Sequence, residues 1–366
     1  MKKINFKTLI VSLFGILISL SSCKKDADVT DYEIPTTYNF TNVSYGGQTA
    51  RLEMMQAMTS YMKTANTSGT TISETTLKAM FANEGNPFTE ASLNSAGKDI
   101  KSKTFAADVI MFEDYMEALA TLSGTTTVAT SGTAGIATSG SKAYLLNANG
   151  LEYTQLIEKG LMGALSYYQI AENYTREAKI GSSVDNETIV DGKGTDMEHH
   201  WDEAFGYIGG NTTLDDVTYI YHAKYAGKGE SAGLSTRTNL FNAFIAGRAA
   251  ISAKDMVRKD EEAINVRTYM EETTVTTAIH YLNGAKENLT DYAIRCHELS
   301  EGYAFVSSLK YGADAKISAT ELAEVKAFLQ NTAGEPDFAN ITVANINSAI
   351  NKLSTVYGLD AVKATL

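Results

Sequence analysis

The chain has 366 residues and a formal net charge of −12, a length that suffices for one or two packed cores. The charge argues against nucleic acid as a partner, because binding that polymer depends on Lys and Arg side chains that neutralise phosphates. An acidic surface is equally compatible with cation binding and with solubility. Charge alone therefore excludes one class of partner and selects no other.

The first 22 residues have the pattern of a secretory signal peptide. Lys2 and Lys3 precede an apolar run at residues 8–20, which is too short to span a membrane comfortably. The run ends in Leu20-Ser21-Ser22-Cys23, which resembles the lipobox of bacterial lipoproteins, in which the cysteine becomes the lipidated first residue of the mature chain. This resemblance implies lipidation at Cys23 and an anchor in the outer membrane, with the body on its periplasmic or cell-surface face. An ordinary secretory signal is the alternative.

Helical periods dominate the remainder of the chain. Residues 23–45 are expected to be a lipidated tether and an irregular entry, followed by one helical domain over residues 46–366. The chain has three prolines and no alternating strand pattern of any length, so we expect an all-α fold. Ser73 is expected to cap a helix, and Ser318 with Glu321 forms a capping-box pattern. Apolar periodicity predicts helices at residues 48–65, 73–82, 106–122, 151–176, 217–225, 238–285 in two or more segments, 288–310 and 345–357.

One stretch interrupts the helical pattern. Residues 122–141 are rich in Thr, Ser and Gly, a composition typical of flexible loops. We expect a long insertion loop that divides the first helices from the others. Pairing of some of its Thr and Val residues as a hairpin is the alternative.

The segment from Glu198 to Tyr207 contains the only Trp and two of the five His residues. Because a helix advances about 100° per residue, Asp196, His200, Glu203 and Tyr207 fall within about 60° of one another. A separate apolar stripe comprises Met197, Trp201, Ala204, Phe205 and Ile208.

His200 and Glu203 are candidate metal ligands. One rigid helix would supply both, an arrangement common in helical metal proteins. Imidazole with carboxylates suits iron, manganese or zinc, and oxygen ligands such as Asp196 would favour harder ions. The alternative is that His200 is a buried histidine hydrogen-bonded to a neighbouring carboxylate.

His297 and Glu301 form a second candidate pair. They lie one turn apart and are flanked by small residues, so a neighbouring helix can approach them closely. A buried charge there needs a partner. Glu158, on the helix predicted at 151–176, is another acid that could complete a site. Cys296 is expected to be a core residue, and surface packing is the expectation for His222.

Several motifs that identify well-marked enzyme classes are missing. The sequence has no His-Glu-x-x-His, Walker-type loop or Cys-x-x-Cys. A non-catalytic role is therefore favoured. Two alternatives remain: a metallopeptidase with Glu203 or Glu301 as general base, and a metal-free surface interaction module.

Two stretches also resemble known families. The run from His200 to Gly209 resembles the His-x-x-Glu stretch of the imelysin family, although Glu198-His199 stands where imelysins show Gly-x before the His. The run from Glu198 to Tyr207, together with the run from Leu299 to Phe305, resembles the DUF4856 family over nearly all of the mature chain. Imelysin-like proteins are helical, built as two four-helix bundles side by side, exported to the envelope and associated with iron uptake; they are also grouped with metallopeptidases.

The resemblance implies an outer-membrane or cell-surface lipoprotein that binds a metal ion, iron or zinc, and assists its uptake with a partner protein of the uptake system. His200 and Glu203 correspond to the motif pair. We expect the other ligands to come from neighbouring helices and from the turn before His200, the candidates being Asp196, Glu158, His297 and Glu301.

Overall fold

Helices with one buried face form most of the chain, as expected for an all-α fold. A computed structural model describes residues 31–366; the predicted signal peptide and Cys23 lie outside the described residues. The first helices, named α1 to α4 in chain order, are Gly46–Lys63, Glu74–Ala82, Ala91–Asn94 and Val109–Leu122. On α1, Leu52, Met55, Met58 and Met62 are all buried, which confirms the predicted apolar face. Ser73 caps α2 by accepting a hydrogen bond from the Thr76 amide.

A β-hairpin follows α4. Strands β1 (Gly135–Ser139) and β2 (Lys142–Leu146) pair antiparallel, and Gly140, with φ +57°, occupies the turn between them. Leu145 and Leu146 are buried, and both strands pack on the helix at Tyr292–Ser308. Part of the predicted insertion loop at residues 122–141 therefore forms a hairpin, which the sequence analysis gave as the alternative. A continuous loop over that stretch is not confirmed.

The next helices carry the predicted site residues. Helices α5 to α9 are Tyr153–Leu161, Glu177–Ile180, Asp196–Gly206, Tyr221–Tyr225 and Gly227–Ser231. Two π-helical segments, at Met162–Tyr167 and Ile170–Tyr174, extend α5 over nearly the whole predicted span. In the first of them Gly163 allows a close helix contact, since a Cβ there would lie 2.1 Å from Ser308 Oγ.

The C-terminal helices surround the longest helix of the described part. Helices α10 to α14 are Thr236–Ser252, Met256–Glu287, Tyr292–Ser308, Ala319–Ala327 and Val343–Tyr357. The 32-residue α11 packs against α10, α12 and α14, and α12 packs against α5. The predicted capping box at Ser318 and Glu321 forms at the start of α13. This packing places α12 and α5 side by side, which decides where His297 and Glu301 point.

Candidate functional site

Helix α7, which carries the His-x-x-Glu pair, is anchored at both its start and its apolar face. Thr195 and Glu198 form a capping box at its start. Trp201 is fully buried and donates a hydrogen bond from Nε1 to the Phe244 carbonyl, 2.9 Å away. Ala204 and Phe205 are also fully buried. The predicted apolar stripe is confirmed, and it fixes the direction in which His200 and Glu203 point.

His200 and Glu203 have different partners. His200 Nδ1 lies 2.8 Å from the Lys179 carbonyl, which can only accept, so Nδ1 carries the proton and Nε2 is free to accept. Lys179 Nζ lies 3.4 Å from that Nε2. Glu203 Oε1 accepts hydrogen bonds from Gln48 Nε2 at 2.8 Å and from Tyr174 at 3.3 Å. Burial lowers the pKa of His200, so its imidazole is neutral at pH 7.

The other predicted ligands are not gathered around this pair. Asp196 is exposed in the first turn of α7. Within the described part of the chain, no hydrogen bond or ion pair links His200 or Glu203 to Glu158, His297 or Glu301. The predicted six-residue site is therefore divided between two places in the fold.

A second place brings three of the predicted residues together. Glu158, Lys159, His297 and Glu301, with Glu152, form what we call the α5–α12 cluster. His297 Nδ1 lies 2.6 Å from Glu152 Oε2, and His297 Nε2 lies 3.5 Å from Glu301 Oε2. Lys159 Nζ lies 3.3 Å from Glu301 Oε1 and 3.1 Å from Glu158 Oε1. The cluster is thus a chain of alternating acidic and basic groups across two helices.

The cluster lies largely away from solvent. Glu152 is 1% exposed, and Lys159 and Glu301 are each 5% exposed. The Tyr144 ring of β2 stacks on the His297 imidazole with ring centroids 4.3 Å apart. The hairpin therefore covers one side of the imidazole.

Burial and charge act in opposite directions on these groups. Burial alone would lower the pKa of His297, but its hydrogen bond to Glu152 and the charges of Glu152 and Glu301 outweigh burial and raise it. Burial raises the pKa of Glu301, against the opposing charges of Lys159 and His297. Burial would also lower the pKa of Lys159, yet the Glu158 and Glu301 carboxylates raise it. The cluster thus contains three acidic side chains against one lysine and one histidine.

Two donor atoms of the cluster have the spacing that a metal ion requires, but a complete set of ligands is not in place. Two ligands on a tetrahedral zinc ion lie about 3.3 Å apart, close to the 3.5 Å between His297 Nε2 and Glu301 Oε2. Glu158 Oε2 is buried without a hydrogen-bond partner, and Lys63 Nζ is 3.7 Å from it. However, in residues 31–366 no three His, Cys, Asp or Glu side chains already stand as a metal-binding group. A third ligand would require Lys159 to move.

Sequence analysis missed two members of this cluster. Glu152 is the N-cap residue just before α5, and Lys159 lies seven residues later on that helix. That spacing was visible in the sequence, but only the packing of α5 against α12 shows what the two side chains meet.

Sequence analysis also missed a buried ion pair between α7 and α10. Arg248 is 1% exposed, and its Nε lies 3.0 Å from Asp202 Oδ1. Arg248 Nη1 lies 2.6 Å from Glu198 Oε1, and Tyr38 donates to Asp202 at 2.8 Å. Burial raises the pKa of Asp202 to about 6. These contacts join α7 to α10, so we assign them a structural role.

The fold and the site together define an all-α protein with a buried histidine–carboxylate–lysine cluster between two helices. The chain belongs to the family described as Domain of unknown function (DUF4856), whose model matches residues 35–360. No curated protein and no solved structure matches it. Among the described helices, none combines the length and apolar character needed to cross a membrane.

Proposed function

We propose that this protein is an envelope lipoprotein that binds a metal ion, iron or zinc, and assists its uptake together with a partner protein. The observation that carries the proposal is His297, held between Glu152 and Glu301 in a buried acidic cluster. The sequence resemblance to imelysin-like proteins supports the link to iron uptake, and the lipobox pattern at Cys23 supports the envelope address.

The α5–α12 cluster supplies ligands and a supporting group. A carboxylate on one imidazole nitrogen orients the ring and makes the other nitrogen a stronger ligand. Glu152 is placed for that role on Nδ1, which leaves Nε2 and the Glu301 carboxylate for the ion. Glu158 is the further acid within the cluster, and Lys159 is the cation that the metal would displace.

His200 and Glu203 remain the pair that the imelysin resemblance predicts, but their surroundings are less suited to a cation. Lys179 Nζ lies at the free nitrogen of His200, and Glu203 has neutral hydrogen-bond donors. We therefore place the metal at His297 and Glu301, with Glu158 beside them, rather than at His200, Glu203 and Asp196.

Titration calorimetry of protein without its lipid, using zinc, ferrous and ferric ions, tests this assignment. His297→Ala with Glu301→Gln should abolish binding of the preferred ion. Glu152→Gln should weaken it by about 10- to 100-fold, because the imidazole loses its orienting carboxylate.

The matched control is His200→Ala with Glu203→Gln, which removes the same residue types from α7. We expect this control to bind as the wild type does. Loss of binding in the α7 variant, with the His297 and Glu301 variant unaffected, would move the site to α7. Absence of binding by the wild type for all three ions would refute the metal-binding role.

A metal-free interaction module is the second candidate, and one observation favours it. Lys159 already provides a cation to Glu158 and Glu301, so the cluster can stabilise the contact between α5 and α12 without an ion. A ligand that binds only the native state must raise its melting temperature. A melting temperature unchanged by zinc, iron or chelator would therefore support this candidate.

A further inference from the structure

Positively charged side chains gather beside Glu203, in contrast to the acidic chain as a whole. We call Arg51, Lys98, Lys103 and Lys179 the cationic face. Arg51 Nε donates to the Asp99 carbonyl at 2.8 Å, which brings the loop carrying Lys98 and Lys103 against α1. A Cβ on Gly47 would lie 3.0 Å from Lys98 Cε and 3.6 Å from Arg51 Nη1, so these two side chains flank Gly47.

The remaining lysine, Lys179, lies on α6 beside Tyr174. Lys179 Nζ lies 5.9 Å from the centre of the Tyr174 ring, and the Tyr174 hydroxyl donates to Glu203. Burial, together with the charges of Arg51, Lys179 and Lys98, lowers the pKa of Lys103, against the opposing charge of Glu203. Lys103 is therefore close enough to the other three cations to be repelled by them.

In the part of the chain that the structure describes, the cationic face forms no ion pair with a carboxylate. Within residues 31–366, none of its four members has a carboxylate oxygen within 4.0 Å. Arg51 is 5% exposed, and its described acceptors are the carbonyls of Asp99 and Gly47. A buried charge without an opposite charge is costly to the folded state. An anion bound here would remove that cost.

A fully buried hydroxyl adds a neutral donor. Tyr207 is 0% exposed, and its hydroxyl donates no hydrogen bond to the described residues. Burial raises its pKa, whereas the charge of Arg51 and a hydrogen bond from Arg51 oppose that rise. The hydroxyl stays protonated at neutral pH and is free to donate.

We propose that the cationic face, with the Tyr207 hydroxyl, binds a small oxyanion that carries carboxylate or phosphate groups. Such anions accept several charge-assisted hydrogen bonds at once, which suits a face that carries one guanidinium and three ammonium groups. The neutral His200, held by Lys179, lies at the edge of the same face. This site is separate from the α5–α12 cluster and does not depend on metal binding.

Titration of chelator-treated full-length protein with citrate and with inorganic phosphate tests the proposal. Lys103→Gln with Lys179→Gln should weaken binding at least about tenfold, because two charged donors are lost. The matched control is Lys142→Gln with Lys193→Gln, which removes two exposed lysines elsewhere and should bind as the wild type does. Melting temperatures of both variants are measured in parallel to show that they fold.

The outcomes separate the two anion classes and the two sites. Tighter binding of citrate would identify carboxylates as the ligand chemistry, and tighter binding of phosphate would identify phosphate groups. Equal weakening in the two double variants, or no binding of either anion by the wild type, would overturn the proposal. Zinc affinity should be the same in both variants, so failure of the metal site and failure of the anion site can be told apart.

Discussion

At the scale of single residues, burial decides which histidines can titrate. The sequence analysis expected surface packing for His222, which lies in the segment from Tyr219 to Tyr225. The structure contradicts this prediction. His222 is 1% exposed, and its Nδ1 has no hydrogen-bond partner within residues 31–366. Burial lowers its pKa to about 3.

His222 should therefore make the protein sensitive to acid. The unfolded chain takes up a proton below about pH 6.5, whereas the folded imidazole stays neutral until about pH 3. The stabilisation by the neutral form is complete above the unfolded pKa and is lost as the pH falls. Relative to His222→Leu, we expect the wild type to lose about 1.4 kcal/mol of unfolding free energy per pH unit between pH 6 and pH 4.

Urea unfolding at several pH values measures this difference. Leucine replaces the imidazole with an apolar side chain that does not titrate, so the pH dependence, rather than the absolute stability, is the quantity compared. Parallel curves for the two proteins would contradict a buried neutral His222.

At the scale of elements, the sequence predicts helices better than it predicts their contacts. The four apolar residues of α1, the caps at Ser73 and Ser318 and the apolar stripe of α7 all followed from spacing and cap chemistry. The β-hairpin was harder, because Thr, Ser and Gly suit loops as well as strands, and the burial of its Leu145 and Leu146 depends on packing against distant parts of the chain, α12 among them. The pairing of α5 with α12, which builds the cluster, depends on contacts between residues almost 150 positions apart.

Close contact between α7 and α10 gives a prediction at this scale. A Cβ on Gly247 of α10 would lie 2.1 Å from Cζ2 of the buried Trp201 ring. Gly247→Ala should therefore destabilise the protein by about 1–3 kcal/mol, because the added methyl forces the two helices apart. Denaturant unfolding with tryptophan fluorescence reports both the stability and the surroundings of this single Trp.

Gly46→Ala is the matched control at the start of α1. A Cβ there meets no atom within 4 Å, so alanine should stabilise the protein by about 0.4–1 kcal/mol through the unfolded chain. A gain in stability for Gly247→Ala as well would show that α7 and α10 are not as close as described.

At the scale of the whole molecule, the class of fold and the family could be recognised from the sequence, but the arrangement of the site could not. The helical period and the motif stretches were sufficient for an all-α member of the DUF4856 family. The six predicted ligands were grouped by residue type, whereas the fold gathers Glu158, His297 and Glu301 through Lys159 and leaves Asp196 exposed. Spacing places residues on a helix face, but it does not show which faces meet.

The proposed membrane anchor can be tested on the intact chain. The compact unit extends from Tyr32 to Leu366, and Cys23 precedes it in the sequence. In the native host, the wild type should incorporate a labelled fatty acid and Cys23→Ser should not, because the lipobox resemblance makes Cys23 the residue to which the lipid is attached. Cys296→Ala changes the other cysteine, which is buried, and should keep the label. A label that persists in Cys23→Ser, or is missing from the wild type, would reject lipidation at this residue and with it the outer-membrane anchor.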